Sequence, residues 1–460
     1  MPSPIYLTED IRRIERAAAE VTPPLMERAG TAAAELAAKL ASDKKKDVLV
    51  LVGPGNNGGD ARIAAARLQE QFYRVSVAGR MEEIADRKWG LVIDGLFGIG
   101  LARDIDGEYA RMVEYANRQD CPVLALDIPS GLHSDTGRVM GCAVRATHTI
   151  TFIALKPGLL TLDGPDHCGE ISVADLGLAP DKPSAWVATR ELFQSVLKRR
   201  PRNFHKGLAG SVAILGGASG MAGAALLAGR AALKLGAGRV YVGMLDITVP
   251  VDPEAPELML RHADDALGLD LNAMVVGPGL GDSERAETLL GAALTSELPC
   301  VLDADALNLI SENADLRRVC ARRRAETLLT PHPAEAGRLL GTNTAAVQAD
   351  RVKAARMLSE NLNAQVVLKG NGSILAARDG HWFVNRTGNP GMASAGMGDV
   401  LAGILGALLA QGYSGESALV LGTHLHGAAA DELARRGTGP VGMTAGEVID
   451  AARRTWNQWL

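Results

Sequence analysis

Aspartates follow three apolar runs in the first half of the chain, each beside glycines. The motifs are GPGNNGGDA (53–61), DGLFGIGLARDI (94–105) and LDIPSGLHSDTG (126–137). Amide and carboxylate oxygens are hard ligands for a cation, and a positioned carboxylate also moves protons. Each aspartate alone has a structural alternative, such as a helix N-cap for Asp60. Three of them on one rim favour a cation site beside an acid–base carboxylate.

Glycines and a carboxylate also come together late in the chain, in GNPGMASAGMGDVLAGIL (388–405). Gly396 and Gly398 precede Asp399 at the start of an apolar, helix-forming run. The free amides and the dipole of a helix start attract an anion. A bound phosphate would repel Asp399 unless a proton or a cation lies between them. This tension favours a catalytic role for Asp399, with a simple N-cap as the alternative.

Other predicted strand ends in the second half carry glycine with a polar residue. They are HKG (205–207), GGASGMAGA (216–224), GPGLG (277–281), LDADALN (302–308), TPHPAEAGRL (330–339) and LKGNGS (368–373). A lysine such as Lys369 suits nucleotide phosphates as a point charge. None of these motifs has the Walker A spacing, which excludes a P-loop NTPase. Structural alternatives are a helix cap for His332, a buried acceptor for Asp305 and a surface position for Lys206.

Short apolar runs that alternate with helical segments must position these motifs. The runs are 47–53, 73–79, 90–96, 122–128 and 146–155 in the first half, and 211–217, 239–245, 273–279, 299–305, 326–332 and 364–370 in the second. Continuous apolar runs are typical of parallel strands covered on both faces. Helices are predicted at 8–20 and 25–41, and Asp-Gly predicts a hairpin over 373–385. The fold class is therefore α/β, with ligands beyond the carboxyl ends of the strands.

A basic stretch, VLKRRPRNFHKG (196–207), interrupts the alternation and contains no strand pattern. We take it as the boundary between two doubly wound domains, 1–200 and 203–460. A solvated linker is the alternative interpretation of Lys198–Arg202.

The composition excludes several classes of protein. A net charge of −5 gives no bias toward nucleic acid. The five cysteines (121, 142, 168, 300 and 320) have no CxxC spacing, which argues against a disulfide framework. The N-terminus has no apolar signal core, and the longest apolar run, Val400–Ala410, is too short to span a bilayer. We expect a cytoplasmic protein with no membrane partner. We also expect a homo-oligomer, although Ala- and Leu-rich helix faces are more often core.

NNGGD, DGLFGIGL and DIPSGLHSDTG, in that order after a helical N-terminus, resemble the NAD(P)HX epimerase family. That family interconverts the R and S forms of NAD(P)H hydrated at C6 of the nicotinamide ring, and it binds potassium. The resemblance implies a Rossmann-like domain, K⁺ ligands at Asn57, Asp94 and Ser130, and Asp127 as the acid–base residue. The implied substrate-binding residues are Asn56, Asn57, Gly58, Gly59, Asp60, Gly98, Ile99, Gly100, Leu101, Ala102, Arg103, Asp104 and Asp127.

The motifs of the second half, taken as a set, resemble the ADP/ATP-dependent NAD(P)HX dehydratase family, which is ribokinase-like. That family removes the C6 hydroxyl and restores NAD(P)H while it hydrolyses ADP or ATP. The resemblance implies that Asp399 activates the substrate hydroxyl and that amides around Gly396–Gly398 bind the phosphoryl group. The implied dinucleotide contacts are Ala224, Gly279, His332 and Asp399. The implied nucleotide-binding residues are Lys369, Gly370, Asn371, Gly372, Ser373 and Gly398. Glu335 is a candidate for helping to hold Mg²⁺.

Two domains of this kind on one chain predict a bifunctional enzyme whose substrates are NADHX, NADPHX and an adenine nucleotide. The runner-up is a ribokinase-like kinase for a small alcohol, which would share Asp399 but leave the first half unexplained. A third hypothesis is a dinucleotide-binding scaffold with an inactive first domain. Loss of Asp127 or Asn57 would have indicated such a scaffold, and both are present.

Overall fold

The structure is a computed structural model that describes residues 2–41, 43–180, 183, 185–197 and 199–460. The described chain forms two compact units, Ser3–Trp186 and Val187–Leu460. Both are α/β, which confirms the predicted fold class. No described helix is both long and apolar enough to cross a membrane.

The first unit is built from a parallel sheet and helices. Its elements are β1 (Pro4–Ile5), α1 (Thr8–Ala17), α2 (Leu25–Leu40), β2 (Asp47–Val52), α3 (Asn56–Glu70), β3 (Val75–Ala78), β4 (Trp89–Gly95), α4 (Gly107–Asn117), β5 (Val123–Leu126), β6 (His148–Phe152), α5 (Gly164–Cys168) and β7 (Glu170–Ala174), followed by β8 (Ala185–Val187) at its end. Six strands pair in the order β3–β2–β4–β5–β6–β7, and every pairing is parallel.

Alternate residues of the central strands enter two different cores. Val48 and Val50 pack with apolar residues of α1–α3, whereas Leu49 and Leu51 pack with those of α4. Each strand is therefore apolar on both sides, which explains its continuous hydrophobic pattern in the sequence. The two helical layers leave the ends of the strands as the place where polar side chains collect.

The second unit follows the same plan with more strands. Its elements are α6 (Arg190–Phe193), β9 (Ser211–Gly216), α7 (Ala222–Lys234), β10 (Arg239–Met244), β11 (Met259–His262), α8 (Ala263–Leu267), β12 (Ala273–Val276), α9 (Glu284–Thr295), β13 (Cys300–Leu302), α10 (Asp305–Glu312), α11 (Ala314–Ala321), β14 (Thr327–Leu329), α12 (Pro333–Leu340), α13 (Thr344–Ala349), α14 (Arg351–Leu362), β15 (Gln365–Leu368), β16 (Ser373–Ala376), β17 (Trp382–Asn385), α15 (Met397–Ala410), α16 (Gly415–Arg435) and α17 (Ala445–Trp459). Its nine strands run β17–β16–β15–β14–β13–β12–β9–β10–β11, and β16 alone among them is antiparallel to its neighbours.

Every strand and helix predicted above is present, as is the hairpin of β16 and β17. Four further strands, β1, β7, β8 and β11, were not predicted. β1 and β8 are only two and three residues long. β7 and β11 are sheet edges and only partly buried, so their sequences, EISVA and MLRH, lack a continuous apolar run.

The two compact units meet in sequence before the predicted basic boundary. Residues just after Trp186 pack with the second unit: Phe193 lies 5.6 Å from the Trp459 ring, and Arg190 donates to the Trp459 carbonyl. Lys198, within the predicted linker, lies outside the described residues. The functional limits 1–200 and 203–460 stay a prediction.

Gly53 allows the loop after β2 to contact the loop after β4. A Cβ on Gly53 would lie 1.7 Å from the Leu96 carbonyl oxygen, whereas a Cβ on Gly55, two residues on, would meet nothing within 4 Å.

We therefore predict that Gly53→Ala lowers the free energy of unfolding of the first unit by roughly 1–3 kcal/mol or more. The matched variant Gly55→Ala should change it by less than about 0.5 kcal/mol. Urea unfolding of the full chain, followed by circular dichroism, measures both. Equal effects of the two substitutions would contradict this packing account.

Candidate functional sites

Three neighbouring strands bring the aspartates of the first unit to one edge. Asp60 is the fifth residue of α3, the helix after β2, Asp94 lies in β4, and Asp127 follows β5. These strands are adjacent and parallel, so their carboxyl ends coincide. The strand order also reverses between β2 and β4, which is where open α/β sheets bind ligands.

Asp127 is held in a strained backbone conformation. Its φ is +64°, in the left-handed region that costs a non-glycine residue about 1–3 kcal/mol. Its Oδ1 accepts a hydrogen bond of 2.6 Å from Lys156 Nζ, and its Oδ2 accepts one of 3.3 Å from the Ile99 amide. Only 9% of the residue is exposed. Strain of this kind is typical of a functional position, where surrounding contacts fix one side chain.

Lys156 is the counter-charge of Asp127, and it was not predicted from the sequence. The residue is fully buried and follows β6, the neighbour of β5. Its three ammonium hydrogens are all used, because Nζ also lies 2.8 Å from Thr151 Oγ1 and 2.8 Å from the Phe152 carbonyl oxygen. The available signal was a single lysine within the apolar run FIALKPGLL (152–160).

The side chains of Asn57, Asp94 and Ser130 form the candidate cation site. Ser130 donates from Oγ to Asp94 Oδ1 at 2.6 Å and from its amide to Oδ2 at 2.8 Å. Burial raises the pKa of Asp94 to about 6, although these Ser130 hydrogen bonds oppose the shift. Both polar atoms of the buried Asn57 side chain lack a hydrogen-bond partner in the described chain. A buried amide oxygen without a partner and a buried carboxylate are ligand types that fit a hard cation.

Two further carboxyl groups lie near Asp127. Burial and the charges of Asp127 and Glu15 raise the pKa of Asp60 to about 8. Burial and Asp127 also raise the pKa of Glu15, while Lys156 and Arg12 oppose that shift. Glu15 and Arg12 belong to α1, which therefore contributes charge to this edge. Nothing in the spacing of α1 pointed to the site, because its charged residues look like a solvated face.

The predicted dinucleotide loops contain both buried and exposed residues. In the 98–104 loop, Gly98 is half-buried, whereas Gly100 and 102–104 are exposed. A Cβ on Gly98 would lie 3.1 Å from Asp127 Oδ2 and 3.4 Å from Asn57 Cβ, so this glycine separates the two. Gly58 also has a packing role, because a Cβ there would lie 2.0 Å from the Gly53 carbonyl oxygen.

In the second unit, Lys369 lies at the centre of the carboxylate cluster. Its Nζ donates to Asp303 Oδ1 at 2.9 Å, and Thr330 Oγ1 donates to the same oxygen at 2.7 Å. Glu335 Oε2 lies 4.0 Å from Nζ. Burial alone would lower the pKa of Lys369, but Asp303, Glu335 and Asp399 together raise it. Lys369 is therefore a fixed positive charge at the end of β15.

Helix α15 begins beside this lysine. Gly396 caps it with φ +86°, and its first intrahelical bond runs from the Val400 amide to the Gly396 carbonyl oxygen, at 3.0 Å. The amides of 397–399 precede that bond and are free to bind an anion. A Cβ on Gly398 would lie 3.2 Å from Lys369 Nζ, so lysine and helix start adjoin. Burial and the Asp303 charge raise the pKa of Asp399 to about 6, while Lys369 opposes the shift.

His332 and Glu335 form a capping box at the start of α12. His332 Nδ1 accepts from the Glu335 amide at 3.3 Å, and Glu335 Oε2 accepts from the His332 amide at 2.7 Å. His332 Nε2 lies 3.3 Å from Glu335 Oε1. Both carboxylate oxygens of Glu335 therefore have partners inside the protein, which argues against Glu335 as a Mg²⁺ ligand. The capping alternative for His332 is observed, and a substrate contact stays a prediction.

Three further predicted residues, Ala224, Gly279 and Asp305, lie at the starts of α7 and α10 and in the loop after β12. Ala224 and Gly279 adjoin, since a Cβ on Gly279 would lie 3.3 Å from Ala224 Cβ. Asp305 accepts from the Gly281 amide at 2.8 Å, so its alternative role as an acceptor is observed.

The buried Arg351, which was not predicted from the sequence, holds the 369–373 turn. Its guanidinium donates to the carbonyl oxygens of Leu368 and Lys369. Within the turn, Ser373 Oγ donates to the Gly370 carbonyl oxygen at 3.0 Å.

His426 of α16 is another buried group near Lys369. Burial, together with the Lys369 charge, lowers the pKa of His426 to about 4, so its imidazole is neutral. His426 Nε2 and Thr423 Oγ1 have no partner in the described chain. No three His, Cys, Asp or Glu side chains within the described ranges form a metal-binding group.

Family models match both units. The model described as NAD(P)H-hydrate dehydratase matches residues 212–454, and the model described as YjeF-related protein N-terminus matches 23–89 and 79–158. A relative from Coxiella burnetii, the bifunctional NAD(P)H-hydrate repair enzyme Nnr, is 38% identical and covers 98% of each chain. The chain belongs to the family of bifunctional NAD(P)H-hydrate repair enzymes.

Solved structures agree with this placement in the family. The ADP/ATP-dependent NAD(P)H-hydrate dehydratase from Bacillus subtilis, co-crystallised with ATP and Mg²⁺, is 30% identical, with a TM-score of 0.53. It covers 60% of this chain and 98% of its own. A ribokinase-like superfamily protein from Enterococcus faecalis has a TM-score of 0.54 at 23% identity, over 61% of this chain and 99% of its own, and supports the fold. The predicted ribokinase-like class is confirmed.

In this member of the repair-enzyme family, we predict that Lys156→Met lowers the free energy of unfolding of the first unit by about 3–5 kcal/mol, because Asp127 would remain buried without its counter-charge. Thermal and urea unfolding measure the effect, with the exposed Lys88→Met as control. The double variant Lys156→Met, Asp127→Asn should recover part of the loss. An additive double variant would contradict a direct interaction between the two side chains.

Proposed function

We propose that the chain repairs hydrated NADH and NADPH. It interconverts the R and S hydrates in the first unit and dehydrates the S form in the second, with ADP or ATP as co-substrate. The observation that carries the proposal is one buried, strand-end acid–base candidate in each unit, within a family of bifunctional repair enzymes. Asp127 has a lysine partner, and Asp399 lies among free helix amides.

In the epimerase reaction, Asp127 accepts and returns a proton of the substrate. Lys156 donates a hydrogen bond to one of its oxygens, and the Ile99 amide donates one to the other. The loops 56–60 and 98–104 bind the dinucleotide, since both border the edge where Asp127 lies.

Asn57, Asp94 and Ser130 would hold K⁺. The unsatisfied Asn57 side chain supports this assignment, because the site supplies a neutral oxygen ligand beside a carboxylate. When bound, the ion supplies positive charge that offsets Asp94. These residues come from three different strand ends, so their shared ligand would order the loops that bind the substrate.

In the dehydratase reaction, Asp399 accepts the proton of the C6 hydroxyl of the substrate. The oxygen of that hydroxyl then attacks the terminal phosphoryl group of the nucleotide. Hydroxide is a poor leaving group, and phosphorylation makes the oxygen a good one. The ring nitrogen then expels phosphate from C6, and loss of a C5 proton restores the double bond of NAD(P)H. The amides of 397–399 stabilise the negative charge on the transferring group.

Substrate and nucleotide occupy different parts of this edge. Ala224, Gly279 and His332 contact the hydrated dinucleotide, and Lys369–Ser373 with Gly398 bind the adenine nucleotide. Mg²⁺ would bind mainly through the nucleotide phosphates, as it usually does. Among the protein groups, the Asp399 carboxylate has no hydrogen-bond partner in the described chain and is free to face the reacting atoms. A homo-oligomer in the cytoplasm stays our expectation.

We predict that Asp399→Asn abolishes nucleotide-dependent recovery of NADH from its S hydrate and leaves epimerisation intact. Asp127→Asn should have the converse effect, with each variant serving as the folding control of the other. In the wild type, dehydration should slow as pH falls through about 6, because Asp399 then becomes protonated. NADH absorbance and chiral chromatography measure the two steps. Normal dehydration by Asp399→Asn would contradict the assignment.

We predict that K⁺ raises the melting temperature of the first unit relative to choline at equal ionic strength, because it binds the folded site alone. Asn57→Leu should remove this difference. Differential scanning calorimetry on the full chain measures it without any assay of activity. A melting temperature that does not respond to K⁺ in the wild type would refute the ion site.

A further inference from the structure

Asp60 is a carboxyl group that the proposed epimerase reaction has not used. It is the fifth residue of α3, three residues after Asn57. It is buried to the same extent as Asp127, with 9% of each residue exposed. Its carboxyl group has no hydrogen-bond partner in the described chain. A buried carboxyl that forms no hydrogen bond is costly, so it calls for an explanation.

Asp60 lies close to Asp127. Gly98 lies between Asp127 and the first turn of α3, since its Cβ position would be 3.1 Å from Asp127 Oδ2 and 3.4 Å from Asn57 Cβ. Asp60 is on the same side of α3 as Asn57, because residues three apart on a helix are neighbours. The charge of Asp127 also acts on Asp60, so the two carboxyl groups lie near each other at this edge of the sheet.

The two carboxyls have different charged neighbours. The charged groups that act on Asp60 are Asp127, after β5, and Glu15, on α1, and both are negative. The nearby cations are already engaged: Lys156 contacts Asp127, and Arg12 acts on Glu15. Burial and these negative neighbours raise the pKa of Asp60 to about 8 and so keep its proton bound, whereas Asp127 accepts a hydrogen bond from the ammonium group of Lys156. Neighbouring carboxyls in such different environments are typical of an acid–base pair.

Building on the proposed epimerase function, we propose that Asp60 is the general acid of epimerisation and Asp127 its general base. Asp127 accepts the C6 hydroxyl proton, the C6–O bond becomes a carbonyl, the C6–N1 bond breaks, and N1 takes the Asp60 proton. Rotation then presents the other face of the carbonyl carbon. N1 returns its proton to Asp60 as it attacks C6, and the oxygen recovers the proton from Asp127. Both groups end in their starting states without a co-reactant.

Lys156 is the rival acid, and its contacts exclude it. Its three hydrogens are directed to Asp127, Thr151 and Phe152, and none of its surface is exposed. Lys156 is therefore a positioning residue. By contrast, 9% of Asp60 is exposed, and its carboxyl group forms no hydrogen bond in the described chain.

The test compares Asp60→Asn and Asp60→Glu in the full-length chain, using the R hydrate of NADH and chiral chromatography. Asp60→Asn should lower kcat for inversion about 10²–10⁴-fold with little change in KM, and Asp60→Glu should restore part of it. Wild-type kcat should fall as pH rises through about 8, where Asp60 loses its proton, and Asp60→Asn should lack that limb. The control is Glu70→Gln, which changes an exposed residue of the same helix that pairs with Arg67. Its kcat should equal that of the wild type.

The acid role would be overturned if the Asp60→Asn variant had the same kcat as the wild type, or if only its KM changed. Where Asp60→Asn fails to fold, as judged by calorimetry, Asp60→Glu decides: an alkaline limb unchanged in position overturns the proposal, and a displaced one supports it. A wild-type chain that does not invert the R hydrate refutes the epimerase function itself.

Discussion

In both units, a lysine at the end of a strand lies against a buried carboxylate. Lys156 bonds to Asp127 at 2.6 Å and Lys369 to Asp303 at 2.9 Å. Parallel strands gather acidic side chains at one edge, where burial and mutual repulsion oppose ionisation. In each unit the ammonium group donates a hydrogen bond to one carboxylate, whereas a carboxyl that receives no such bond, Asp60 or Asp399, has a raised pKa. The direction of the lysine side chain therefore determines which carboxyl has a hydrogen-bonded counter-charge.

Glycine makes this arrangement sterically possible. The loops after β2 and β4 touch only because Gly53 has no side chain, and α15 reaches Lys369 because Gly398 has none. These positions explain why glycine clusters accompany carboxylates in the sequence. They also show that a glycine-rich motif serves packing and ligand access together, so the glycine pattern alone does not separate the two roles.

The sequence was sufficient to predict the strands, because continuous apolar runs mark elements buried on both faces. It also identified Asp94 with Ser130, and Asp399 at the start of α15, because each lies at a strand end or a helix start. It did not reveal Lys156, Glu15 or Arg351. Each is distant in sequence from the motif it supports, and only the sheet order brings Lys156 beside Asp127. The edge strands β7 and β11 were missed because exposure removes the apolar pattern.

One measurement tests directly whether a single chain carries both activities. The pure protein is added with ADP or ATP to an equilibrated mixture of R and S hydrates of NADH, and recovery of the NADH absorbance is followed. We predict complete recovery, in which the S form reacts first and the R form follows through epimerisation, and no recovery without nucleotide. Recovery that stops at the S fraction would contradict an active first unit. No recovery with either nucleotide would contradict the dehydratase.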